Sequence, residues 1–184
     1  MFVVGTGRCG TMTFTRAAEH LTNFTAGHET RARQVGDERF RYDADHVEAD
    51  NRLSWFLGPL AQRFDRKTTL YVHLTRDRSE VIDSYLRRFD NDFRASIVRA
   101  FGHGILTRVR DWSPTEKREV CAMYVDSVTS NLEHFLRGQC SISMQLEELP
   151  TQFENFVDLI GGQGDLNAML SELGVRHNAS PQPG

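Results

Sequence analysis

A glycine-rich loop near the N-terminus carries the residue types that bind anions. It covers residues 5–13 (GTGRCGTMT), between an apolar run at residues 2–4 and an apolar stripe with helical spacing. A strand that turns into a helix in this way directs free backbone N–H groups and the positive end of the helix dipole at a ligand. Arg8 adds a permanent positive charge and N–H donors that can bind two oxygens of one anion, and Thr11 and Thr13 add hydroxyl groups. The pattern predicts a site for a phosphate or a sulfate.

The glycine spacing of this loop also matches the dinucleotide-binding fingerprint. Gly5-x-Gly7-x-x-Gly10 directly follows an apolar run, and Glu29 lies close to the position of the acid that binds the ribose in such folds. An arginine inside the loop would crowd a pyrophosphate on bare backbone, and 184 residues are few for two mononucleotide-binding halves. An NAD(P)-binding protein of the Rossmann type is therefore an alternative interpretation.

Two further interpretations require residues that the loop lacks. Gly5 and Gly10 have the Walker spacing, but Thr11 stands where ATP hydrolysis requires a lysine. Cys9 as a phosphatase nucleophile would need an arginine six positions later, where the chain has Thr15. The sequence therefore favours neither an ATPase nor a cysteine phosphatase.

A second polar segment lies between a predicted strand and a predicted helix. Residues 69–74 (TLYVHL) are β-branched and aromatic, as in a buried strand, and an apolar stripe with helical spacing begins at Val81. Arg76, just after this strand, can pair with a phosphate through two donors, and Ser84 can donate its hydroxyl from the helix. Because parallel strands bring such junctions to one edge of a sheet, two anion sites there would fit a nucleotide with two anionic groups.

Both segments resemble the cofactor loops of sulfotransferases that use 3′-phosphoadenosine 5′-phosphosulfate (PAPS). The first resembles the family's 5′-phosphosulfate loop, with Cys9 in place of the usual serine and Met12 at a position that often carries a hydroxyl. The second resembles the 3′-phosphate motif, in which an arginine and a serine have the spacing of Arg76 and Ser84. The resemblance implies that PAPS is bound by Gly7, Arg8, Cys9, Gly10, Thr11, Met12, Thr13, Arg76 and Ser84.

The resemblance also implies a mechanism. Many members carry a glutamate downstream of the loop's basic residue, and Glu29 occupies the comparable position as the candidate base, with His28 as the alternative. Arg8 would stabilise charge in an in-line, loose transition state like that of phosphoryl transfer. Because a sulfuryl group carries less negative charge than a phosphoryl group, we expect no metal ion.

Alternating strands and helices predict an α/β fold: a single three-layer domain over residues 1–177, with a mainly parallel sheet and a loose tail at residues 178–184. Residues 31–50 are charged and weakly periodic, which predicts mostly loop. Strands are expected at residues 2–4, 24–26, 69–74 and 141–146. Helices are expected at residues 11–21, 53–64, 81–89, 114–138, 153–160 and 166–173.

Composition limits the class of protein. A net charge of −3 and a pI near 6.2 argue against a nucleic-acid-binding surface. The three cysteines are scattered without a Cys-x-x-Cys pair, which predicts a reducing compartment and no structural metal. No targeting or membrane-spanning segment is recognised, so we expect a cytoplasmic protein that binds no membrane.

The acceptor is less constrained by the sequence. The resemblance implies a hydroxyl or amine on a small molecule or a carbohydrate, and residues 31–50 and 90–112 are expected to shape its site. The identity of the acceptor and the oligomeric state stay open at this point. A nucleotide-binding module that has lost turnover is the remaining alternative to an active sulfotransferase.

Overall fold

The computed structural model describes residues 1–91, 96–108 and 111–175. Within these ranges, the strands are β1 (Phe2–Val4), β2 (Thr25–His28), β3 (His46–Ala49), β4 (Leu70–Thr75) and β5 (Cys140–Gln145). They form one sheet in the order β2-β3-β1-β4-β5, and every neighbouring pair is parallel. Because β1 is central, the loop that follows it lies in the middle of the sheet's carboxyl edge.

Helices cover both faces of the sheet, which confirms the predicted three-layer α/β fold. The helices in the described ranges are α1 (Thr11–Ala18), α2 (Leu57–Arg63), α3 (Arg78–Leu86), α4 (Ser96–Ala100), α5 (Pro114–Leu136), α6 (Leu149–Leu159) and α7 (Leu166–Leu173). Alternate residues of the strands face opposite layers, so Phe2 packs with α2 to α5 and Val3 packs with α1, α6 and α7.

The helix predicted from a capping box is confirmed as α5. The Ser113 hydroxyl accepts a hydrogen bond from the Glu116 amide at 3.3 Å, and the Glu116 carboxylate accepts one from the Ser113 amide at 2.8 Å. With Pro114 at the first helical position, the start of this helix is determined by local residues alone. The predicted helix at residues 166–173 is confirmed at the same bounds.

The prediction that residues 31–50 are mostly loop is wrong for residues 46–49, which form β3. This strand contains Glu48, and this charged residue is the reason that the sequence pattern does not indicate a strand. Glu48 is fully buried, and its carboxylate accepts hydrogen bonds from the amide and hydroxyl of Thr30 at 2.7 and 2.6 Å. His46 Nε2 lies 3.0 Å from the same carboxylate. Burial of this charge depends on partners in β3 and just after β2, which a single segment does not reveal.

The single helix predicted over residues 53–64 is two elements. A 3₁₀ helix, Asn51–Trp55, directly follows β3, and α2 begins only at Leu57. Pro59 explains the break, because its ring would clash with the carbonyl of Trp55 in a continuous α-helix. The break places Trp55 at the carboxyl edge of the sheet.

The predicted tail at residues 178–184 lies outside the described residues. None of the helices in the described ranges is long and apolar enough to cross a membrane.

Candidate functional site

The loop after β1 has an unusual backbone. Gly7, Arg8 and Gly10 have φ angles of 80°, 60° and 91°, in the left-handed region. For a residue with a side chain, such as Arg8, this conformation costs about 1–3 kcal/mol and persists only when the surroundings impose it. The loop is therefore held in place by the rest of the fold.

The glycines of the loop are required by packing within the protein. A Cβ atom on Gly7 would lie 2.5 Å from the Tyr85 hydroxyl, and one on Gly10 would overlap the Leu146 side chain. Glycine also lets a ligand approach the backbone closely. A side chain at position 7 would collide with the buried Tyr85, and one at position 10 would displace the partly buried Leu146 side chain.

Three buried hydroxyl groups anchor the first two carbonyls of the loop. Tyr85 and Tyr124 both donate to the Thr6 carbonyl, at 2.7 and 3.0 Å, and Ser54 donates to the Gly5 carbonyl at 3.0 Å. Burial raises the pKa of Tyr124 to about 12 and that of Tyr85 well above its usual value, so both remain protonated donors. These bonds explain how the strained loop keeps one conformation.

The two predicted anion junctions meet in the structure. Arg76 donates through Nη1 to the Arg8 carbonyl at 3.3 Å, and Arg8 donates through Nε to the Ser84 hydroxyl at 3.1 Å. Residues that are 68 and 76 positions apart in sequence are thus in direct contact at the carboxyl edge of β1 and β4. The structure brings Arg8, Arg76 and Ser84 together.

Ser84 is buried, at 2% exposure. Its oxygen accepts hydrogen bonds from Arg8 and from Arg88, whose Nη1 lies 2.9 Å away. Both arginines donate to the oxygen, so the Ser84 hydrogen can still be donated. Arg88 was not among the predicted site residues, although its position one helical turn after Ser84 is visible in the sequence.

Carboxylates partly neutralise Arg76. Glu80 pairs with its Nη2 at 2.9 Å, and Glu147 lies 3.9 Å from its Nε. Asp77 accepts from the Glu80 amide at 3.0 Å and so caps α3. An anion at Arg76 would compete with the two glutamates for the guanidinium group.

Cys9 is completely buried, and its side chain packs in the core with Val3 and Phe14. Burial raises the pKa of the Cys9 thiol to about 11, so it is protonated near neutral pH and is not a nucleophile. The side chain cannot replace the ligand-binding hydroxyl of the usual serine, which leaves only the Cys9 backbone to contact an anion. Met12 is half-buried and Thr13 is buried.

His28 contacts the loop directly. It is the last residue of β2, and its Nε2 lies 3.0 Å from the Thr11 hydroxyl at the first position of α1. No side chain within the described residues caps the N-terminus of α1, whose first turn also lacks an acidic residue. The partial positive charge of the helix dipole at the start of α1 is therefore not compensated by a capping side chain of the described residues, and it lies next to the His28 imidazole.

The Glu29 side chain has a different partner from that of His28. Its φ angle is 53°, its amide donates to the Ala49 carbonyl at 3.1 Å, and its carboxylate forms an ion pair with Arg52. Among the contacts of the described residues, His28 rather than Glu29 reaches the loop. Arg52 is not predicted from the sequence because it follows β3, whose charged residues do not show the pattern of a strand.

A cavity of about 260 Å³ adjoins the site on the α5 side of β4. Thr6 and Arg76 line the part nearest the loop, and His73 and Glu133 line it further along. His73 is 6% exposed, and burial lowers its pKa, which agrees with its place in the buried strand predicted at residues 69–74.

Comparisons with protein-family models, with curated proteins and with solved structures give no match to this chain. Functional inference therefore depends on the residues described above.

Proposed function

We propose that this protein is a PAPS-dependent sulfotransferase. The observation that carries the proposal is the contact between the two basic junctions, in which Arg76 donates to the Arg8 carbonyl and Arg8 donates to Ser84. An arginine at each of two adjoining junctions on one sheet edge suits a ligand with two separate anionic groups, as PAPS has. The uncapped start of α1 adds a third source of positive potential to the same edge.

The strand order weighs against the dinucleotide-binding alternative. In the Rossmann order 3-2-1-4-5-6, β2 lies beside β1, so the acid after β2 reaches the ribose of a nucleotide on the first loop. Here β3 lies between β2 and β1. Glu29 is one strand further from the loop than that acid would be, and its carboxylate is engaged by Arg52.

The residues present fit an anionic sulfuryl donor. PAPS, when bound, would supply the sulfuryl group, with 3′,5′-adenosine bisphosphate as the leaving group. Arg8 and the amides of the loop would hold the 5′ end, while Arg76 and Ser84 would hold the 3′-phosphate. Transfer of this kind needs positioning and charge stabilisation more than covalent help from the protein, and a fixed loop provides both.

His28 is placed to handle the acceptor's proton. Its contact with Thr11 brings an imidazole to the loop that would hold the reacting group. Glu29, the other predicted base, is paired with Arg52, which suits a role in orienting the acceptor. In this proposal His28 removes the proton, and Glu29 binds the molecule that loses it.

A binding assay and a transfer assay together test the proposal. We expect 3′,5′-adenosine bisphosphate to raise the melting temperature of the protein, and NADPH to leave it unchanged. Arg8→Ala and Arg76→Ala should each weaken this binding about 10- to 100-fold, because each removes charge-assisted hydrogen bonds. Arg118→Ala is the matched control, since Arg118 pairs with Asp83 on the exposed surface.

Transfer of the label from ³⁵S-PAPS to an acceptor then measures turnover. ³⁵S-PAPS and a pooled library of hydroxyl and amine acceptors should give a labelled product that is lost in Arg8→Ala and His28→Ala. Stabilisation by NADPH but not by the bisphosphate would refute the proposal in favour of the dinucleotide alternative.

A nucleotide-binding module without turnover is the second candidate. The observation that favours it is the burial of Cys9, which removes a side-chain donor that sulfotransferases normally direct at the phosphate. Binding of the bisphosphate without any labelled product would support this candidate.

A further inference from the structure

We infer that Glu29, Arg52 and Trp55 form a binding surface for a neutral sugar ring, which would be the acceptor of the proposed transfer. This inference rests on the proposed function, because the surface gains its role from the loop beside it. The three residues follow the carboxyl ends of β2 and β3, and β3 is the neighbour of the central strand β1.

The 3₁₀ helix Asn51–Trp55 brings two of these residues to one face. In a 3₁₀ helix, side chains three positions apart lie above one another, so Arg52 and Trp55 point in similar directions. The Ser54 hydroxyl donates to the Gly5 carbonyl at 3.0 Å, which attaches this helix to the start of the loop. The surface and the loop are therefore one connected structure.

Trp55 presents a supported but accessible ring. Its indole lies 6.1 Å from the Phe101 ring and 6.2 Å from the Tyr124 ring, measured between centroids, and is still 41% exposed. Tyr124 also donates to the Thr6 carbonyl, so a single residue contacts both Trp55 and the loop. A ligand lying on this indole would be close to the anion site.

The ion pair between Glu29 and Arg52 supplies polar contacts of both kinds. Their side chains are 28% and 38% exposed, and a partly exposed pair of this kind adds little to stability. Glu29 nevertheless occupies a strained left-handed conformation at a strand end. Strain that the fold maintains without an evident gain in stability is a common feature of functional positions.

The chemistry of this surface favours a sugar over other acceptors. Adjacent ring hydroxyls can donate to a carboxylate and accept from a guanidinium, while the C–H face of a sugar packs on an indole. The pair is neutral overall, which gives no preference for an acidic or a basic acceptor. A small apolar acceptor such as a phenol is normally enclosed in a mainly apolar pocket, whereas these three side chains are partly exposed and two of them are charged.

Ligand-observed NMR on the full chain tests the inference. The probes are methyl glucoside, methyl galactoside, N-acetylglucosamine and cellobiose, with phenol as the apolar comparison. We expect saturation transfer to at least one sugar, and a dissociation constant that rises tenfold or more in Trp55→Ala and Arg52→Ala. Leu159→Ala removes an apolar side chain that is 60% exposed on α6, and it should leave binding unchanged.

Fluorescence gives a second measurement. The chain has two tryptophans, so Trp112→Phe leaves Trp55 as the only indole, and a bound sugar should shift its emission in a saturable way. Binding of phenol but of none of the sugars, or sugar binding that survives in Trp55→Ala, would overturn the inference.

The two proposals fail separately. The melting shift with 3′,5′-adenosine bisphosphate should persist in Trp55→Ala, because the donor site does not include this residue. If sugars bind at Trp55 and the bisphosphate does not bind, the surface stands as a sugar site and sulfuryl transfer is refuted. If the bisphosphate binds and no sugar does, the donor site stands and the sugar inference is refuted.

Discussion

At the carboxyl edge of the sheet, the residues that hold the loop after β1 are buried, whereas the residues of the proposed sugar surface are partly exposed. On the side of β1 and β4, Ser84 is buried and the loop carbonyls accept hydrogen bonds from enclosed hydroxyl groups. On the side of β2 and β3, Glu29, Arg52 and Trp55 all remain partly exposed. A rigid half suits a ligand that is the same in every reaction cycle, and an open half suits recognition of a larger, hydrated molecule. This contrast is what the proposed roles of donor site and acceptor site require.

The largest effect on stability is expected from Gly7→Ala in the loop after β1, which belongs to the rigid half. The new methyl group would need a left-handed backbone and would collide with the Tyr85 hydroxyl, so we expect a loss of about 3 kcal/mol or more in the free energy of unfolding. Gly36→Ala separates the two causes, because Gly36 has a φ of 63° with no atom within 4 Å of an added Cβ. That control should cost about 1 kcal/mol in urea unfolding. Equal losses at both positions would show that the loop is not tightly packed.

A smaller effect on the free energy of unfolding is expected from the ionisation of Cys9 at alkaline pH. Burial raises the thiol pKa from about 9 to about 11, so the folded state disfavours the thiolate. The stability that the neutral thiol contributes is complete below pH 9 and is lost as the pH rises towards 11. Cys9→Ser removes this titration and should reduce the loss of stability between pH 8 and pH 10 by about 1 kcal/mol. The measurement is urea unfolding at pH 8, 9 and 10, and Cys140→Ser, at an exposed site, is the control.

The smallest effect on stability is expected in the open half. Arg52→Ala removes the partner of Glu29, but an exposed ion pair is worth only about 0–1 kcal/mol. We expect thermal unfolding close to that of the unchanged protein, together with a clear loss of acceptor binding. A loss of stability as large as that of Gly7→Ala would mean that Arg52 holds the fold together, and the contrast between the halves would disappear.

Much of the rigid half could be predicted from the sequence because its signals are local. The apolar run of β1, the glycines at positive φ and the start of α1 are consecutive in the chain. The second junction was recognisable because an arginine after a strand and a serine on the next helix have a fixed spacing. Local order of this kind appears in the pattern of residue types.

The open half was harder to predict because its elements depend on distant partners. β3 contains Glu48, which only the contacts with Thr30 and His46 make compatible with a buried strand. Without β3 the position of Trp55 could not be deduced. The preference for Glu29 as the base came from its position in the sequence, whereas contact with the loop is made by His28.

By itself, the sequence determined the α/β class, the glycine-rich loop after β1 and the start of α5, since each depends on residues a few positions apart. Only the tertiary structure decided that β3 lies between β2 and β1, that Arg52 pairs with Glu29, and that the sulfur of Cys9 points into the core. The physical reason is that strand order and the burial of charge are settled by contacts between segments that are far apart in the chain. The direction in which a side chain leaves a strained loop is settled in the same way.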